Sequence, residues 1–185
     1  MDFSVKIIST LEWNSRSEKS IAQQTTPTHI VIHHTATAPS SNGTEIGGKK
    51  LAQSIQNYHM NHNGWIDSGH NFLNTVGGIV FEGRHGTVDA LKIGKCVLSA
   101  HCGNELGNAS PGIENEGIYM TQKMSQIQWE ALVALCADIC LSCRISPEKI
   151  RGHRDFSSTA CPGDWLYAQL PLLIKQVKDQ LAARR

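Results

Sequence analysis

The stretch THIVIHH, residues 28–34, sets the reading of the whole chain. Its run of β-branched residues, Ile30, Val31 and Ile32, favours a pleated strand. The run ends on a pair of imidazoles, His33 and His34, and leads into a polar loop, TATAPSSNGTEIGG (35–48). Beyond it, KKLAQSIQNYHMNHN (49–63) places Leu51, Ile55, Tyr58 and His62 on one face and predicts a helix. HNFLNTVGGIVFEG (70–83) predicts two strands joined at a glycine turn, Gly77-Gly78. CVLSAH (96–101) and GIENEGIYM (112–120) read as further strands, and a long helix, entered through Ser125, is expected over 125–143. PEKIRGHRD (147–155) holds a short strand. After Cys161-Pro162-Gly163, the spacing of Trp165, Leu166, Leu170, Leu173, Ile174, Val177 and Leu181 predicts an amphipathic closing helix. Strands interleave with helices. The class is α/β, a single domain over 1–185 with a central mixed sheet flanked by helices.

Bulk properties narrow the function classes. A chain of 185 residues is most simply one domain with a real core. A net charge of +1, with AARR at the end as the one basic block, argues against nucleic acid as the partner. No run approaches the roughly 18 consecutive apolar residues of a membrane span. The opening MDFSVKIISTLEWNSRSEKS has neither the basic start nor the apolar stretch of a secretory signal. The expectation is a protein made in the cytoplasm that acts there or leaves by another route.

The six cysteines do not read as a disulfide framework. Cys136, Cys140 and Cys143 share one helix face with Leu132, Leu135 and Ile139 nearby, so they read as small buried thiols. Cys161 is different. It lies eight residues after His153, across RDFSSTA, a segment with little helix or strand pattern that can fold back and bring both side chains to one point. Imidazole nitrogen with thiolate sulfur suits zinc, and three protein ligands with one open position is the catalytic arrangement. A third ligand can come from His33 or His34. Successive strand residues point to opposite faces, so only one of the two can look into a given cleft, and periodicity does not choose between them.

EWNSR, VIHHTAT, DSGHNFLN, FEGR, SAHCGN and GHRDFSSTACPG occur here in the order found in peptidoglycan recognition proteins and type 2 N-acetylmuramoyl-L-alanine amidases, phage endolysins included. The resemblance runs from about residue 7 to about 182. It implies a zinc held by His33, His153 and Cys161 in a cleft of a mixed sheet. It also implies hydrolysis of the amide between N-acetylmuramic acid and L-alanine of peptidoglycan or muropeptides. Zinc polarises the carbonyl and lowers the pKa of water toward ~7, and a general base moves the proton.

The sequence departs from that family at His70, where GHNF replaces the usual GYNF or GYHF. The base is then expected at Glu114, because GIENEG resembles the strand of muropeptide-recycling amidases whose first glutamate is catalytic. Glu116 would sit on the same strand face, roughly 6.6 Å away at about 3.3 Å per residue, so only one of the two can serve. His70 takes a secondary catalytic role, and the resemblance implies that Thr159, two residues before Cys161, donates to the developing oxyanion. His34, His101 and Asn108 match substrate-binding positions. The rival reading is a recognition module without hydrolysis. Relatives of that kind typically lose the cysteine ligand, which this chain keeps at Cys161. An antibacterial effector would add a cognate immunity protein as partner.

Overall fold

The computed structural model describes residues 3–184. Six strands form the main sheet: β1 (Ile7–Ile8), β3 (Ile30–His34), β4 (Phe72–Asn74), β5 (Val80–Glu82), β7 (Gly112–Asn115) and β8 (Ile150–Gly152), in the order β1-β5-β4-β7-β3-β8. The β4–β5 hairpin is antiparallel and every other neighbour pair is parallel, so the sheet is mixed as expected. A separate antiparallel ribbon joins β2 (Gln24–Thr25) to β6 (Cys96–Val97). CVLSAH therefore contributes only two strand residues, and GIENEGIYM only four.

The helices are α1 (Glu45–Asn61), α2 (Thr87–Lys92), α3 (Glu105–Asn108), α4 (Gln126–Cys143), α5 (Asp164–Ala168) and α6 (Leu170–Ala183). Ser125 caps α4, its hydroxyl accepting from Gln128 N–H. The closing helix comes as two pieces, α5 and α6, with Pro171 in the first turn of α6.

Two cores sandwich the sheet. On one face Ile30, Ile32, Phe72 and Ile113 meet Leu132, Leu135, Cys136, Ile139 and Cys140 of α4, with Leu166, Leu173 and Val177 of α5 and α6. On the other, Leu73 and Phe81 meet Ile8, Trp13 and Ala52 of α1. Each fully buried large side chain contributes about 1.5–3 kcal/mol of transfer free energy. α4 is long and apolar enough in itself to cross a membrane, but half of it is buried here as the core helix. Every cysteine among the described residues is a free thiol, and Cys136 and Cys140 pack into that core as their spacing predicts.

One expectation is corrected. α1 starts at Glu45, inside the segment read as loop, because Thr44 caps it by accepting from Gly47 N–H at 3.0 Å. Gly47-Gly48 looked like a loop signal and is a packing requirement: a Cβ on Gly48 would stand 2.4 Å from the Phe81 ring. The face buried is Gly48, Ala52, Gln56 and Met60. Small residues let α1 approach β5, and this leaves Leu51 and Ile55 at the edge of the core around Phe81, where with the exposed Tyr58 they also line a cleft.

Candidate metal centre and cleft

The core on the α4 side takes Ile30 and Ile32, so strand alternation sends His34 to that face and His33 to the other. That settles what periodicity left open. His33 pairs in parallel register with Glu114 on β7, and β8 runs directly into His153. The 153–161 loop folds back as its composition suggested. Arg154 N–H donates to the Cys161 carbonyl at 3.1 Å, and its guanidinium pairs with Asp164 at 2.9 Å while lying over the Tyr167 ring. Arg154, Asp164 and Tyr167 hold this loop, and nothing in the sequence marked them for that task.

The result is a cluster of His33, His153 and Cys161 whose ligand atoms all lie within 4.8 Å of one another. Cys161 Sγ stands 3.6 Å from His33 Nδ1, and the two imidazole centroids are 4.5 Å apart. Burial holds His33 well below the usual histidine range, with the neighbouring His101 and His153 adding to the effect. Burial also lowers His153, against the opposing pull of a hydrogen bond to the Cys102 backbone. Imidazoles held neutral keep a lone pair for a cation. Burial lifts the Cys161 thiol to about 12, Glu114 adds to the shift, and the His34 backbone N–H opposes it. Two nitrogens and a sulfur at this spacing fit a tetrahedral zinc with one position open.

The two glutamates divide sharply. Glu114 lines a cleft of about 480 Å³ together with Thr35, Thr37, Leu51, Ile55, Tyr58 and His59. Burial pushes its carboxyl up to about 8, near the pH at which a proton can be taken and returned. Glu116 lies past the end of β7 and is 1% exposed. It accepts from Ser40 and Ser41 N–H, from the Ser41 hydroxyl at 2.6 Å, and from Val76 N–H. Burial alone would raise it, but those hydrogen bonds outweigh burial and leave it below its ordinary value. Glu116 ties loops together; Glu114 faces the cleft.

The remaining expected site residues are placed as follows. His70 is 2% exposed, and its Nδ1 has no partner among the described residues. Burial takes its pKa down to about 3, with His59 and His101 contributing. His70 therefore backs the site and does not open onto it. Thr159 is exposed and accepts from Cys161 N–H at 3.2 Å, which leaves its O–H free to donate. His34 is buried and its Nδ1 accepts from Tyr119 N–H at 3.1 Å. Asn108 Oδ1 accepts from Cys102 N–H at 2.8 Å, and His101 Nδ1 lies 2.9 Å from His33 Nε2. These three have polar atoms engaged inside the protein.

A second chain of groups resembles a nucleophilic triad: Ser15 Oγ is 2.9 Å from His85 Nε2, and His85 Nδ1 is 2.8 Å from Asp67. The N–H groups of Ser15 and Arg16 donate to Thr10 and Gln56 and so cannot serve an oxyanion. The trio anchors the amino-terminal segment onto the loop after β5.

Comparison with known proteins gives the family and supports the fold. Residues 23–164 match the N-acetylmuramoyl-L-alanine amidase family. Peptidoglycan-recognition protein SC2 of Drosophila melanogaster is 36% identical over 170 residues, covering 90% of this chain and 85% of the relative. Peptidoglycan recognition protein 1 of Bos indicus is 31% identical, covering 87% and 80%. Among solved structures, a tyrosine-to-phenylalanine mutant of Drosophila PGRP-LB in complex with tracheal cytotoxin superposes with a TM-score of 0.75 at 27% identity, covering 89% of this chain and 92% of that one.

Proposed function

The chain belongs to the N-acetylmuramoyl-L-alanine amidase family, and from that premise we propose that it hydrolyses the amide between N-acetylmuramic acid and L-alanine in peptidoglycan or its fragments, with zinc at His33, His153 and Cys161. One observation carries the reading: the three-ligand cluster stands beside Glu114, in register with His33 and lining the cleft. When bound, zinc would supply the Lewis acidity that polarises the scissile carbonyl and makes water acidic enough to attack near neutral pH. Glu114 takes the proton from the attacking water. It then delivers that proton to the leaving α-amine of alanine as the carbon–nitrogen bond breaks. The exposed Thr159 hydroxyl accepts from Cys161 N–H and keeps its hydrogen free, which supports a role in donating to the carbonyl oxygen as charge develops there. His70 supports this arrangement from beneath, His34 holds the segment after β7 through Tyr119 N–H, and Asn108 fastens the loop that carries His101.

Leu51, Ile55 and Tyr58 offer an apolar wall, and Thr35, Thr37 and Ser40 a polar one, to a glycan-linked peptide. Solved relatives hold tracheal cytotoxin, described as a monomeric diaminopimelic acid-type peptidoglycan, which fits a ligand of this class here. Such a substrate puts the place of action at the bacterial wall. The names of the relatives favour a second reading, recognition without hydrolysis. The retained Cys161 favours the enzyme.

The test is metal content and cleavage measured together. Wild-type protein should carry one zinc per chain, and Cys161→Ser should lose both zinc and activity. Full zinc occupancy in Cys161→Ser would remove the cysteine from the site.

A further inference from the structure

His33 can bind a metal through Nδ1 only if its single proton sits on Nε2, and the fold contains a device that imposes this choice. The chain of contacts starts at a carbonyl. Ser110 O lies 3.0 Å from His101 Nε2, and a carbonyl can only accept, so His101 Nε2 carries the hydrogen. A ring with one N–H then presents a lone pair at Nδ1. That lone pair is 2.9 Å from His33 Nε2, which must therefore be the donor. The His33 proton is thus held on Nε2, and the Nδ1 lone pair is left facing Cys161 Sγ at 3.6 Å. A reversed His101 would present N–H to His33, move the His33 proton to Nδ1 and close the ligand position.

We infer that His101 is a positioning residue that selects the metal-binding tautomer of His33, through a two-imidazole relay ending on the Ser110 carbonyl. This rests on reading His33, His153 and Cys161 as the metal ligands. The surroundings hold the His101 ring in place. It lies against Gly112 of β7, where a Cβ would come within 2.3 Å of the ring. Its loop is fastened on both sides: Ala100 N–H donates to Gly69 O, Ser99 N–H to Asn108 O, and Cys102 N–H to Asn108 Oδ1. Asn108 thereby acquires a structural task, clamping the loop that presents His101. Partners of this kind behind a ligating histidine typically change metal affinity by 10–100-fold.

The experiment has a metal-free arm and a metal arm. Imidazole nitrogen NMR of metal-free wild-type protein should show His33 protonated at Nε2 and bare at Nδ1, with His101 also protonated at Nε2. His101→Leu removes the acceptor, so the His33 proton should distribute over both nitrogens and zinc affinity, read by chelator competition, should fall 10–100-fold. His101→Asn places an amide oxygen near the former Nδ1 and should keep zinc affinity within a few-fold of wild type. Gly112→Ala changes no hydrogen-bonding group yet displaces the ring, and should weaken zinc in the same direction. A wild-type His33 carrying its proton on Nδ1 overturns the inference without need of any variant. So does a folded His101→Leu that keeps the Nε2 tautomer and wild-type zinc affinity. If the tautomers behave as stated but no zinc binds wild type, the relay stands and the metal reading of the site falls instead.

Discussion

Glu114 and Glu116 are two residues apart and chemically far apart. One carboxylate lines the cleft with its pKa lifted to about 8, and the other is satisfied by four hydrogen bonds. The same side chain is made reactive or inert by what surrounds it. Glu114→Gln keeps shape and hydrogen-bonding capacity, so zinc and substrate should still bind while kcat falls by about 10²–10⁴, with KM little changed. Since Glu114 must be deprotonated to act, activity should rise with pH through its titration, which a bound cation pulls below 8. Glu114→Gln should lose that limb of the pH–rate profile. Glu116→Gln should instead lower the unfolding midpoint and leave the profile's shape alone. If Glu114→Gln retains near wild-type kcat while His70→Ala is inactive, the proton is carried from the other residue.

At the scale of elements, α1 shows where packing overrides a local signal. Glycine is a poor helix former by about 1 kcal/mol against alanine, so propensity alone favours Gly48→Ala. The space does not: the added Cβ would stand 2.4–2.5 Å from the Phe81 ring. The variant should be destabilised by about 1–3 kcal/mol in urea titration, and a stabilised protein would show that α1 can lift from β5 at no cost. The same conflict explains what was legible beforehand. β3, the β4–β5 hairpin and α4 have patterns that agree with their packing, and they form where periodicity puts them. The amino-terminal turn of α1 does not, because Gly47 lies against the Ser41 backbone and Gly48 against Phe81, a contact that joins positions about 33 residues apart in the chain. For the site, residue types and family motifs reached His33, His153, Cys161 and Glu114. The hydrogen bonds that direct them were not legible. His33 and His101 are separated by 68 residues, and their facing nitrogens follow from strand register and a loop clamp.

At the scale of the molecule, buried neutral histidines couple stability to pH. His59 is lowered to about 4 and His70 to about 3, each chiefly by burial. Below the ordinary value near 6.5 the unfolded chain takes up these protons and the native protein does not. Stability therefore falls as pH drops from about 6.5 toward 4, by up to about 1.4 kcal/mol per pH unit for each group. His85 opposes this. Its hydrogen bond to Asp67 raises its pKa, so its contribution is present below 6.5 and is lost as pH rises through the raised value. His29, His33, His34, His101 and His153 are lowered as well, while Glu114, raised to about 8, opposes them between pH 8 and 4.5. With seven lowered histidines against it, the unfolding free energy of the metal-free protein should decline between pH 6.5 and 4.5, and His70→Leu should flatten the decline. A free energy that holds level or grows over that range would contradict the buried-neutral assignment. Asp138 of α4 adds a second whole-chain tie, accepting from Ser4 N–H at 2.8 Å and from Arg184 at 2.6 Å, so both ends of the described chain fasten to the core helix.

These scales meet in one bond of one substrate. The direct measurement is mass spectrometry of soluble muropeptides and purified wall after incubation with zinc-saturated wild-type protein, with zinc occupancy verified on the same sample. The cluster beside Glu114 predicts stem peptides released with a free amino-terminal alanine and glycan left with an intact lactyl carboxylate. Release should stop when a chelator strips the metal and return when zinc is restored. Fully zinc-occupied protein that binds these fragments and leaves every muramoyl–alanine amide intact would contradict the amidase assignment and make the cleft a site of recognition alone.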